Sequence, residues 1–390
     1  MSPVEPPAAG GGPQAAAVPG APYRPWEPAP PRPKPEGIEY GFLNPVRDEL
    51  VGTTRERLVY LCRTAPPPRV WTPENDYLVP PYEVPYLLDA CRELLAERAG
   101  RTVRRTAAFG AGLLALWSLA ATPLVLVPGV PLLIAYLAYL RSGRQRAMEL
   151  RVEELRAGEA NAHYARWEAS QPAHRTRGLM YMLMATGAAQ LPWLRESVAA
   201  AGMDPARVLD GEPWRVLSGA LLHGSPMHWV MNFSALVSLG RTMEARAPAA
   251  YVPLVFLASA LTGSLASLYL PPHVVSVGAS GGLLGMMGFL LVLALRRAGH
   301  LPEGFGRLMR TNLLLTAGIG LVGFMFIDNA AHGGGLLAGV AIGAAAIPNG
   351  DRVPEWTGGA LLERAGLAAQ ALLWAATAAT AAVILTRVLG

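Results

Sequence analysis

The sequence has little charge: Asp, Glu, Lys and Arg together make up 16% of its 390 residues, against about 25% in an ordinary soluble domain. With 52% hydrophobic residues gathered into long runs, that scarcity excludes a typical soluble protein and points to a polytopic membrane protein built of helices. Cysteine is nearly missing. Cys62 and Cys91 are the only two, both among charged residues ahead of the first apolar run, so neither a disulfide framework nor a metal site is expected. Reduced cytosolic thiols are the expectation. Also missing is a basic start followed by an apolar run, so no cleavable signal peptide is expected. The formal net charge of +5 sits in Arg-rich stretches between apolar runs. It signals membrane orientation rather than nucleic-acid binding.

Composition divides the chain. Residues 1–45, rich in Pro, Ala and Gly, are expected to form a disordered tail. Residues 46–105 have ordinary composition, with helical periodicity in "VPYLLDACRELLAERAGR", and form a small cytosolic N-terminal region. Residues 106–141 hold an apolar run too long for one crossing and broken by Pro123, Pro128 and Pro131. A hydrophobic hairpin with both ends in the cytoplasm is expected, because both flanks are basic. Residues 142–177 form a cytosolic amphipathic linker.

Further spans are expected near 178–194, 222–240, 250–270, 277–295, 312–327, 330–347 and 366–387, each close to the length that crosses a bilayer. Arg175 and Arg177, Arg241 and Arg246, and Arg296, Arg297, Arg307 and Arg310 fall at alternate ends of these spans. This positive-inside pattern brings the starts of the segments "LLHGSPMH", "GASGG" and "DNAAH" together on the external side.

Ionisable and polar residues within spans are costly and default to functional candidates. The set is His223, His228, Asn232, Ser280, Asp328, Asn329 and His332. His228 and Asn232 are four residues apart, so a helix stacks them as a pair of donors on one face. Ser280 stands at the start of its helix, where free N–H groups and the positive dipole end favour an oxyanion. His332 is the natural general base for a serine hydroxyl. Gly335, Gly339 and Gly343 continue the His332 face, and Gly281, Gly285 and Gly288 stripe the serine helix. Small residues allow the close helix contact a Ser–His hydrogen bond needs. Asp328, one turn before His332, is either a helix cap or a group that orients the imidazole.

The segments "HGSPMHWVMN", "GASGG" and "AHGGGLLAG", in this order and spacing, resemble the three signature segments of the rhomboid intramembrane serine proteases. "EPWRVLSGALLH" and "LGRTME" extend the likeness over about 178–347. The resemblance implies a six-helix protease core there, with 348–390 supplying a cytosolic loop and an extra C-terminal transmembrane helix. It implies that Ser280 is the nucleophile and His332 its base, and that the Ser280 N–H with His228 and Asn232 forms the oxyanion hole. His223, Gly278 and Gly281 take supporting roles, and Gly285, Gly335, Gly339 and Gly343 serve helix packing. Four residues after the serine many members carry an aromatic residue; here Leu284 stands.

The expected function is therefore serine endopeptidase cleavage of transmembrane segments. The partners are membrane-anchored protein substrates and the lipid bilayer, with no nucleic acid, cofactor or metal. Two alternatives differ in class. A catalytically silent rhomboid-like protein would bind membrane helices, but its hallmark is loss of the Ser or His, and both are present. A transporter would use the histidines as proton relays, but no repeated half with matching broken helices is visible. The Ala, Gly, Pro and Arg bias fits a GC-rich bacterial genome, so the expected location is a bacterial cytoplasmic membrane, with the N-terminus inside and the site facing out.

Overall fold

A computed structural model describes residues 31–120, 142–143, 145–271, 274–302, 304–323, 327–350 and 358–389. The chain is mostly helical and divides into two compact units, one ending at Ala160 and the other resuming at Asn161. Residues 1–30 of the expected tail and 121–141 of the expected hairpin lie outside the described residues.

The first unit holds a sheet that the helical reading of the chain did not foresee. Strands β1 (Gly41–Asn44), β2 (Glu49–Gly52) and β3 (Val70–Trp71) pair antiparallel in the order β2-β1-β3, with Phe42 opposite both Val51 and Val70. Strands this short carry no readable alternation, which is why sequence periodicity missed them. The tail assigned to 1–45 also reaches too far. Lys34 donates to the Asp76 carbonyl, Leu78 donates to that of Arg32, and β1 itself falls within it. Trp71 is fully buried and donates through Nε1 to the Ile38 carbonyl at 3.0 Å.

Helices of ten or more described residues are numbered here. Helix α1 (Arg55–Thr64) starts at Thr54, whose side chain accepts from the Arg57 N–H, a standard N-cap. Helix α2 (Pro85–Ala120) runs without a break through residue 105, so the expected boundary between N-terminal region and hairpin falls inside one helix. Cys62 and Cys91 are free thiols in the apolar core between α1 and α2, together with Leu58, Val84 and Leu87. Helix α3 (Val152–Ser170) carries the linker across the unit boundary.

The second unit is a bundle of α4 (His174–Gln190), α5 (Pro226–Glu244), α6 (Tyr251–Tyr269), α7 (Ser280–Arg296), α8 (Phe305–Val322), α9 (Asn329–Ala346) and α10 (Ala360–Leu389). Two of these helices, over Tyr251–Tyr269 and Ala360–Val388, are long and apolar enough to cross a membrane. Short helical turns over 191–221 join α4 to α5.

Helices α6, α7 and α9 meet backbone to backbone. A methyl group on Gly335 would fall on the Gly281 carbonyl, and one on Gly339 would fall on that of Gly285. Gly263 on α6 closes the third side, 3.5 Å from the Gly281 Cα and 2.7 Å from the Ala331 carbonyl oxygen by the same measure. Small residues at successive turns are the membrane-helix way of bringing backbones into van der Waals contact. Leu284, Met286, Phe289, Leu290 and Leu293 fill the core below that contact.

Candidate active site

Ser280 is the first residue of α7 and His332 lies in the first turn of α9. Because Gly281 and Gly335 let the two helices touch just below them, the side chains meet. His332 Nε2 and Ser280 Oγ are 2.8 Å apart, both half-buried. In the neutral imidazole whose Nε2 accepts the serine proton, the ring hydrogen sits on Nδ1. Of the two roles weighed for Asp328, the structure shows the cap: its Oδ1 accepts from the Ala331 N–H at 2.9 Å.

The segment entering α7 is held from behind. Met203 and Ser276 exchange backbone hydrogen bonds at 3.0 and 2.8 Å, and the Gly278 N–H donates to the Gly219 carbonyl at 3.0 Å. Gly278 has φ +136°, a region that side chains other than hydrogen rarely tolerate. A Cβ there would also lie 2.7 Å from His228 Cε1 and 3.6 Å from Asn232 Nδ2. The His228 imidazole and the Asn232 amide, one above the other on α5, are thus both aimed at the Gly278 Cα, two residues ahead of Ser280. Asn232 Nδ2 is buried without a hydrogen-bond partner, a donor left open in a place where that is costly.

His223 is buried to 1% exposure and meets His228 edge to face, ring centroids 5.2 Å apart. Its backbone is fixed by a residue that the sequence reading passed over. Gln190 accepts from the His223 N–H at 2.9 Å and donates to its carbonyl at 2.6 Å. The signal was available: Gln190 is a lone amide closing an apolar stretch, and a polar group in such a place requires a partner. Trp229 Nε1 adds a further tie, donating to the Leu183 carbonyl at 2.9 Å.

Below the loop, Arg215 is fully buried, pairs with Glu212, and donates to the Gly202 carbonyl at 2.8 Å. Ser218 Oγ donates to the Ala201 carbonyl at 2.6 Å. These contacts fix the stretch that carries Met203 and Gly219, and so support the Gly278 turn. The Arg387 and Arg215 guanidiniums hold the Glu212 carboxyl at a pKa of about 2, well below the usual carboxylate range.

The structure therefore brings Ser280 to His332 and aims His228 and Asn232 at Gly278, with His223 against His228, whereas Asn329 lies apart and donates to the Gly320 carbonyl. Chemically this is a hydroxyl on an imidazole, at a helix N-terminus that favours negative charge, with two side-chain donors beside it.

The family model for the Rhomboid domain matches residues 210–349. Rhomboid protease GluP of Bacillus subtilis is 36% identical over 152 residues, 38% of this chain and 29% of its own length. RHOMBOID-like protein 6, mitochondrial, of Arabidopsis thaliana is 31% identical over 142 residues, 36% of this chain and 46% of its own. Rhomboid-related protein 2 of Mus musculus is 32% identical over 143 residues, 34% of this chain and 47% of its own. The chain thus spans less than half the length of each of these relatives. Residues 210–349, which carry Ser280, His332, His228 and Asn232, are the part of the chain that the rhomboid-domain model matches.

Proposed function

We propose that this protein is an intramembrane serine endopeptidase that cleaves transmembrane segments of membrane-anchored proteins through a Ser280–His332 dyad. The observation that carries the reading is the 2.8 Å contact between His332 Nε2 and Ser280 Oγ, inside a rhomboid domain and at the start of a helix. Ser280 Oγ attacks the scissile carbonyl carbon while Nε2 takes its proton. The C=O electron pair moves onto the oxygen, which the Ser280 N–H, His228 and Asn232 receive. Such donors are worth about 3–4 kcal/mol each where they meet the developing charge. Collapse of the intermediate breaks the C–N bond, and His332 returns the proton to the leaving amine. Water, activated by the same imidazole, then hydrolyses the acyl-enzyme.

The substrate class follows from the site's place at a bundle end. A helical substrate keeps its amides hydrogen-bonded within the helix, so a single-span protein must unwind at the surface to offer a carbonyl. The six-helix core is formed on this reading by α4 to α9, with α10 as an additional span. The arginine pattern supports placing the site on the external face and the N-terminus in the cytoplasm. The test is cleavage of a membrane-anchored reporter in proteoliposomes by the parent protein and by Ser280→Ala and His332→Ala. Both variants are expected to insert and to lose cleavage. A Ser280→Ala variant that cleaves at the parent rate overturns the proposal.

A further inference from the structure

The C-terminal helix lies outside the family match, yet its last turns contact the stretch that supports the turn before Ser280. Arg387 donates to the Glu212 carboxylate at 2.7 Å and to the Ala200 carbonyl at 3.3 Å. Its guanidinium also lies 5.6 Å from the Trp214 ring centroid. Glu212 in turn holds the fully buried Arg215, which binds the Gly202 carbonyl. The next residue, Met203, is the one bonded to Ser276. One turn back along α10, Ile384 is fully buried in an apolar cluster with Ala201 and Leu222, and Val383, Val388 and Val277 pack on it. Val277 is three residues from Ser280, and Leu222 directly precedes His223. The other end of α10 is anchored too: Glu363 pairs with Arg175 at 3.2 Å, and Gln370 donates to the Arg175 carbonyl at 3.4 Å. At ~1.5 Å of rise per residue, a helix fixed at both ends sets the height of whatever rests on its final turn.

We infer that α10 is a brace for the catalytic turn, and that Arg387 is a positioning residue. Through Glu212 and Arg215 it seats the 200–219 stretch, and that stretch holds Ser276 and Gly278 in the conformation that presents Ser280 to His332. Arg387 does not touch the reacting atoms. Its effect on catalysis rests on the reading of Ser280 as nucleophile, whereas its effect on the turn does not.

The experiment therefore reads both, in the full-length protein. One arm is the rate of Ser280 labelling by a fluorophosphonate per folded molecule. The other is amide hydrogen exchange of Ser276 and Gly278, whose N–H groups bond to the Met203 and Gly219 carbonyls. Arg387→Gln, which keeps much of the side chain, is expected to slow labelling about three- to tenfold and to speed exchange at those two amides by a similar factor. Arg387→Lys should restore most of both, and Arg387→Glu, facing Glu212, should exceed Gln. Unchanged exchange and labelling in both Gln and Glu overturn the inference. So does a rise in exchange spread evenly over the bundle, which marks general destabilisation. If the parent itself takes no label at Ser280 while the two amides still respond to Arg387, the protease reading fails and the brace stands.

Discussion

His332 Nε2 lies 2.8 Å from Ser280 Oγ across 52 residues of sequence, because Gly281 and Gly285 on one helix and Gly335 and Gly339 on the other let the two backbones touch. The chemistry at the top of the helix pair and the packing beneath it are one design. Disturbing the packing should disturb the chemistry.

Gly339→Ala places a methyl group on the Gly285 carbonyl, a backbone atom that cannot swing aside. Overpacking of this kind costs about 1–3 kcal/mol. The variant should show a lower thermal midpoint together with slower cleavage. Gly333→Ala, where a Cβ meets nothing within 4 Å, should leave the midpoint near that of the parent.

Gly278→Ala combines a disfavoured backbone region with a Cβ 2.7 Å from His228 Cε1. It should lower the cleavage rate by about 100-fold or more, the scale expected when an oxyanion donor is displaced. Asn232→Ala should give a similar loss in kcat with little change in KM, because in the proposed mechanism its amide acts on the transition state. Steady-state kinetics on a peptide-length membrane reporter separates the two parameters.

Gln190→Leu leaves the His223 N–H and carbonyl without their side-chain partners in a buried place. Each such group costs about 1–3 kcal/mol. Thermal unfolding in detergent should show the loss, and Gln190→Glu should recover only the bond from the His223 N–H.

Glu212 is held as a carboxylate by Arg387 and Arg215, with its pKa lowered to about 2 from an ordinary value of 4.5. A depressed carboxylate contributes stability that is fully present above the unfolded value and is lost as pH falls through the folded one. The thermal midpoint of the parent should therefore exceed that of Glu212→Gln at pH 7. The gap should narrow as the pH drops from about 4.5 toward 2. A gap that stays constant over that window would contradict the assignment.

How much was legible beforehand follows from separation in the chain. The long apolar helices were, since an apolar run near 20 residues is a strong signal: 250–270 corresponds to Tyr251–Tyr269, and 366–387 falls within Ala360–Leu389. His332, the partner of Ser280, was legible because membrane segments contain few ionisable side chains. The sheet of the first unit was not, since its strands are four, four and two residues long. Arg387 was also illegible: its partner Glu212 is 175 residues away, and a single arginine ending an apolar helix suggests only a membrane boundary. The Met203–Ser276 bridge is made by backbone atoms, on which side-chain identity is silent.

The central claim is that His332 makes Ser280 nucleophilic. A fluorophosphonate tests it without a substrate, since Oγ–P bond formation expels fluoride and leaves an adduct that peptide mapping locates. The account predicts one adduct per chain, on Ser280, formed in the parent and at least about 100-fold more slowly in His332→Ala. Labelling of Ser280 that proceeds undiminished in His332→Ala, or a parent that takes no label there, would contradict it.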